Sequence, residues 1–335
     1  MKLINSIFVF MLGITIFSSA QEDSTKSISV KSSNVEMHSL LLDNLSLKNN
    51  LVRQGNKTSL LNNFSSVKSI EVDPLETQID YKMLTGFGLL VGGSVAVVHQ
   101  NFVNSWWKKD SVYTGKFHIM NDWYYALWVD KIGHMYATHL LAHGFSGGFD
   151  ASNFTAEQST WFSASLALLY ELYVETEDGY AYPRWGFSPG DATGDFLGAA
   201  FYVSQYYYPF LKNFQLRWSY YPSEAMRNGT HKGNISDDYE GQIYWVSTRM
   251  KNILPEKISD YWPSFLNLSL GYGVRELDGS GGGKKEFYIS FDLDAEELPL
   301  HGSIWQFVKN TLNYIHFPLP GIRITPDAKF FVFCF

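Results

Sequence analysis

The chain of 335 residues is 45% hydrophobic and 17% aromatic but only 18% charged, below the roughly one quarter of charged residues in ordinary soluble domains. Its net charge is −7 and no basic run interrupts it, which excludes nucleic acid as the main partner. The single cysteine, Cys334, excludes an intramolecular disulfide and a multi-thiolate metal site.

Residues 1–20 have the order of a cleavable secretory signal: Lys2, an apolar stretch from Ile7 to Phe17, then Ser18, Ser19 and Ala20. That stretch is shorter than the roughly 20 residues a spanning helix needs. Gln21 and not a cysteine follows Ala20, so the expected location is the periplasm or the outer membrane, for a protein that is not a lipoprotein. Residues 21–78 are rich in Ser, Asn and Lys without a sustained period and read as a flexible linker.

From residue 79 to 212 the texture is that of an apolar helical domain. Residues 84–98 carry no charge and include Gly86, Gly88, Gly92 and Gly93, small residues that suit close helix approach. Trp106 and Trp107 followed by Lys108 and Lys109 read as an interfacial anchor, with indoles at headgroup depth. Three further helices are expected over 122–145, 155–173 and 189–211. Thr155 with Gln158, and Ser188 with Pro189 and Asp191, supply N-terminal signatures for the last two.

After Lys212 the period changes to two, and residues 213–335 read as a β-rich region. Leu266, Leu268, Leu270, Tyr272 and Val274 alternate with more polar residues or glycine, as do Phe287, Ile289, Phe291 and Leu293. The glycine run from Gly279 to Gly283 joins the two stretches as a hairpin, because a strand and not a helix follows it. Residues 214–221 and 329–335 are weaker strand candidates. The fold class is therefore α+β, with about four apolar helices ahead of a small antiparallel β region. An outer-membrane barrel ranks last, since only about four strands are legible and a barrel needs at least about eight.

Chemistry concentrates on the helices. Asp130 and His134 lie one turn apart and share a face, with Lys131 beside them projecting elsewhere. Glu171 and Glu175 end an apolar stripe on the next helix, Glu175 next to the acidic pair Glu177 and Asp178 on what reads as a solvated end. Asp191 and Asp195 are again one turn apart, beside Gly194 and Gly198; Asp191 reads as a capping partner of Ser188. Unpaired burial of such charges would cost several kcal/mol each, so they must pair, bind a cation or face water. His139 and His143 share a face too, but no third ligand follows at useful spacing, and they read as satisfied or interfacial histidines.

At these residues the chain resembles the YfiM-like family of predicted periplasmic lipoproteins, a domain of unknown function. The similarity rests on Asp130-Lys131-x-x-His134, Glu171-Leu172-Tyr173, and Ser188-x-x-Asp191 followed by Asp195 and Gly198, and it covers residues 120–212. A more distant resemblance is to VanZ-like membrane proteins, which share the order of Asp-Lys-x-x-His, a later Glu, and an Asp before a closing Gly. The resemblance implies an envelope location and a shared polar constellation of Asp130, Lys131, His134, Glu171 and Asp195, with Ser188, Asp191 and Gly198 in support. It implies no settled activity.

The expected function is a membrane-associated structural or maintenance component of the cell envelope, its partners membrane or envelope components. The alternative is an envelope enzyme or cation-dependent ligand-binding protein acting on lipid or cell-wall material. In that case His134 is the acid or base, Asp130 orients it, and Glu171 and Asp195 hold a divalent cation or act as charge partners.

Overall fold

The computed structural model describes residues 78–107, 116–182 and 185–335. The expected signal, most of the linker, and Lys108 and Lys109 lie outside these residues. Residues 80–335 fall into one compact unit of helices followed by an antiparallel sheet, an α+β arrangement.

Helix α1, Tyr81–Phe102, begins where the Asp80 carboxylate accepts from the Lys82 and Met83 amides. By length and composition it could cross a membrane. Phe87 pins it to the rest by inserting beside Ala142, Phe145 and Ala167. Gly88, Gly92 and Gly93 mediate no close approach among the described residues, where a Cβ on any of them would meet nothing within 4 Å. Nor is Trp107 an interfacial anchor. Its ring is buried against Phe102 and Tyr173, and its Nε1 donates to Asp178 at 2.6 Å.

The three helices that carry the polar residues are α2, Val129–Ala151; α3, Ala156–Tyr180; and α4, Pro189–Tyr207. The expected caps are present: Thr155 and Gln158 form a reciprocal box on α3, and the Ser188 hydroxyl accepts from the Asp191 amide on α4. Helix α2 starts seven residues later than its apolar pattern suggests, since Ala126, Leu127 and Trp128 take positive φ values of 46°, 49° and 80°. This turn breaks the segment and folds Asp122 back toward α2. The close contact between α2 and α4 depends on two glycines. A Cβ at Gly194 would sit 2.4 Å from the Lys131 carbonyl oxygen, and one at Gly198 2.3 Å from that of Met135. Only a bare backbone lets α4 lie on the turn of α2 that bears Lys131 and His134.

The sheet is a six-stranded antiparallel meander in the order β1 to β6. The strands are β1 Phe214–Tyr220, β2 Gln242–Thr248, β3 Leu266–Arg275, β4 Lys284–Leu293, β5 Leu319–Thr325 and β6 Lys329–Cys334. The glycine run closes the β3–β4 hairpin, with Gly279, Gly281 and Gly283 at positive φ. Helix α5, Ser303–Leu312, precedes β5, and the chain after it runs along the free edge of β1, where Trp218 exchanges backbone bonds with Tyr314 and His316. Alternation along β3 and β4 gives the expected two faces, and it is the polar one that is buried. Ser247, Ser269, Ser290 and Gly321 stand in register across that inner face. Around them Trp245 stacks on His316 at 3.8 Å, and Arg217 pairs with Asp292. At one end the sheet touches the helices: Tyr244 packs on Tyr136 of α2, and the Tyr272 hydroxyl donates to the Leu127 carbonyl.

Candidate functional site

The residues expected to carry chemistry converge. Lys131 lies 2.8 Å from Asp191 of α4, 3.0 Å from its neighbour Asp130, and 2.6 Å from Asp122. Asp130 in turn accepts from the Tyr239 hydroxyl at 2.7 Å. One turn along α2, His134 Nδ1 lies 3.0 Å from Asp195 Oδ1, which also accepts from the Thr138 hydroxyl at 3.0 Å. The other imidazole nitrogen, Nε2, lies 3.9 Å from both Glu175 Oε1 and Asp191 Oδ2. Asp195 is fully buried, and its second oxygen has no hydrogen-bond partner among the described residues. Glu171 and Asp195 come close enough to the same imidazole for their ligand atoms and its own to lie within 4.8 Å.

Several residues take roles other than those expected. Glu175 is not on a solvated helix end. Helix α3 continues to Tyr180, and the Glu175 carboxylate is buried, facing His134 and accepting from the Ser188 amide at 2.9 Å. Asp191 does more than join a cap, since its side chain is an ion-pair partner of Lys131. His139 and His143 are buried and satisfied: His139 by Gln205 and Tyr314, His143 by Thr311 and by stacking between Phe307 and Tyr314. Asp122 and Tyr239 join the site without any sequence motif to mark them. Asp122 gives no sign of itself, because the left-handed turn that returns it to Lys131 contains no glycine.

Electrostatics separate these groups. Burial pushes Glu171 up to about 8, helped by the nearby Asp195 charge, and Glu175 up to about 9 against the pull of His134. Burial and Asp130 together raise Asp191 to about 7. For His134, burial favours the neutral ring, but Asp195, Asp191 and Asp130 outweigh it and hold the imidazole well above its ordinary value. Asp130 stays below its ordinary range, because His134, Lys131 and the Tyr239 hydroxyl overcome its desolvation.

The signs of these shifts fix a pH dependence. A carboxyl raised in the folded state holds a proton that the unfolded chain releases above about pH 4.5, so stability falls as pH rises toward the folded value. A raised histidine acts in the same direction, its contribution being lost as pH climbs through the folded value. Stability is therefore expected to fall between pH 5 and 9 by an amount on the order of a few kcal/mol. Denaturant unfolding at both pH values measures it. The Glu171→Gln and Glu175→Gln double variant should flatten the slope, and a wild-type curve that rises with pH would refute the assignment.

The site lines a cavity of about 940 Å³. Asp130, His134, Glu171, Glu175 and Asp191 contribute polar groups to its lining, while Val91, Val95 and Val98 of α1 and Leu140, Leu141 and Phe145 of α2 contribute apolar wall. Two overlapping sets could hold a cation: Asp130, His134 and Asp191, or His134, Glu171 and Asp195.

Residues 120–207, which run from the start of this site through α4, match the family described as predicted periplasmic lipoprotein (DUF2279). The resemblance read from the polar motifs is thus shown over those residues, and the description carries a periplasmic location without an activity. It also overturns one expectation. The inference that the protein is not a lipoprotein rested only on the identity of residue 21, and the family is described as lipoproteins. Neither the curated proteins nor the solved structures contain a match to the chain.

Proposed function

We propose that this is a membrane-associated periplasmic protein whose cavity takes an amphiphile from lipid or cell-wall material, with His134 and Glu175 performing acid–base work on its head group. One observation carries the reading: the fully buried Asp195 holds His134 through Nδ1, which turns Nε2 toward Glu175 and Asp191 among the polar groups of a cavity that also has apolar wall. A carboxylate behind an imidazole fixes the tautomer and stabilises the charged ring, so that the far nitrogen can give or take a proton. A network serving only to lock helices together would have no need to line a cavity of ligand size. Six carboxyls, Asp122, Asp130, Glu171, Glu175, Asp191 and Asp195, stand beside the cations Lys131 and His134. Glu171, Glu175 and Asp191 hold their protons near neutral pH and become charged above it, which favours a head group that exchanges hydrogen bonds near neutrality and one with positive charge as pH rises.

Thermal shift and calorimetric titration with dodecyl glucoside, dodecylamine and dodecyl phosphate test this. The first two are expected to bind and the phosphate to bind more weakly. Leu140→Trp, which fills the apolar part, should abolish binding, whereas His134→Gln should keep binding with a changed pH profile, the raised Glu171, Glu175 and Asp191 still titrating. Failure of all three amphiphiles, with no effect of Leu140→Trp, would leave the cluster as a structural lock. The same titration with zinc, magnesium and calcium reads out the cation sets, since a bound ion raises the melting temperature by mass action.

A further inference from the structure

The outward face of the sheet has the polarity of a lipid-facing surface. Val246, Leu270, Ile289, Ile322 and Phe330 are cross-strand neighbours from β2 to β6. Each is exposed, from 39% for Val246 and Ile289 to 62% for Phe330. Above and below this row Leu268 stands opposite Phe291 on one side and Tyr272 opposite Phe287 on the other, with Thr248, Tyr244 and Thr325 at the margins of these rows. The hydroxyl of Tyr272 is already engaged by Leu127. Hydrogen-bonding side chains of these strands turn the other way, into the Ser247, Ser269 and Ser290 row and the Arg217–Asp292 pair. A soluble antiparallel sheet places its polar side chains outward and its apolar ones on the core. This sheet instead turns apolar rows outward, and its buried inner face sets serines and Arg217 beside the Trp245, Tyr288 and Cys334 cluster.

We propose that this face is the membrane-contact surface of the protein, lying against the acyl chains of one bilayer leaflet. The inference rests on the membrane association proposed above and adds to it the surface that does the binding. The occupant is argued from chemistry. A protein interface carries about one hydrogen bond per 100–200 Å² and a polar rim. These rows offer few polar side chains for such contacts: Thr248 at one margin, and Tyr244, Tyr272 and Thr325, whose hydroxyls donate to Gln242 and to the Leu127 and Lys285 carbonyls. Outward positions from Leu266 to Tyr272 make this apolar surface about 20 Å long on β3 at 3.3 Å per residue. Aromatic side chains mark both ends. Trp128 is exposed beside the start of β4 with Lys285 over its ring at 5.6 Å, and Tyr261 and Phe265 are exposed before β3. Indoles, tyrosines and lysines in that arrangement suit the headgroup layer. Strand β6 has no further strand beside it among the described residues, and an unpaired edge is costly in hydrocarbon. The sheet therefore lies on the leaflet by its face and does not cross it.

The test uses the full chain with phosphatidylcholine–phosphatidylglycerol vesicles containing a lipid brominated along its acyl chain. Ile289→Trp places an indole in the middle of the row. Its additional emission is expected to be blue-shifted and quenched by the bromines. In the paired variant Leu270→Glu/Ile289→Lys, whose opposite charges face each other across β3 and β4, vesicle partitioning should fall at least about tenfold, with the melting temperature in solution retained. If wild type binds but the introduced indole escapes quenching and the charged variant binds equally well, the membrane association stands and this surface is wrong. If wild type does not bind, both readings fail. Sedimentation showing a dimer that the charged variant dissociates, without quenching on vesicles, would overturn the lipid assignment and give the face to a second copy of the chain.

Discussion

Replacing Lys131 with methionine is expected to cost about 3–5 kcal/mol of folding stability, the range for removing one partner from a buried ion pair. The ammonium group is the shared counter-charge of Asp122, Asp130 and Asp191, each within 3.0 Å and all largely buried. Methionine keeps the length and the packing of the stem but leaves these carboxylates facing one another with only His134 to balance them. The loss should shrink at pH 5, where the already raised Asp191 is protonated, and widen toward pH 8. Adding Asp122→Asn to the variant should recover part of the loss. Denaturant unfolding of the single and double variants at both pH values measures this. A cost below about 1 kcal/mol, in the range of an exposed pair, would mean that the network is solvated and that burial does not govern it.

This arrangement was partly legible because helical geometry makes it so. Asp130 and His134, and Asp191 and Asp195, are four residues apart, and no helix can separate such pairs. The caps at Thr155 and Ser188 announced the starts of α3 and α4 for similarly local reasons. What could not be read depends on residues distant in the chain. Glu175 looks solvated beside Glu177 and Asp178, and only the chain at Phe187 and Ser188, returning over the end of α3, buries it. The late start of α2 follows from left-handed backbone at Ala126 and Leu127, residue types that give no warning of it. Strands β2 and β5 escaped for different reasons. In β2, Tyr244 and Trp245 put aromatic rings on opposite faces, and in β5, Pro320 and Gly321 read as breakers. Alternation in β3 and β4 was plain, but alternation alone does not say which face is buried.

The inner face of the sheet provides the second large effect, at a residue that no motif marks. Arg217→Met is expected to cost about 3–5 kcal/mol, because it strands a buried carboxylate. The Arg217 guanidinium donates to Asp292 at 3.0 Å, to the Asn313 side chain at 3.0 Å, and to the Leu293 and Ile315 carbonyls. Asp292 is fully buried and also accepts from Ser269 and the Phe317 amide, with His316 Nδ1 at 2.8 Å. Asp292→Asn in the same chain should restore part of the stability, since the amide oxygen can still accept while the stranded charge is gone. A double-mutant cycle by denaturant unfolding should therefore give a coupling of at least about 1 kcal/mol, and additive losses would mean that the two groups do not act as a pair. The contrast with the outward face follows from the same geometry. Leu270→Glu/Ile289→Lys removes no buried contact and should move stability by no more than about 0.5 kcal/mol. A sheet that tolerates charges in its apolar rows but not the loss of its inward arginine is held together by a polar interior, which leaves its greasy side free to meet lipid.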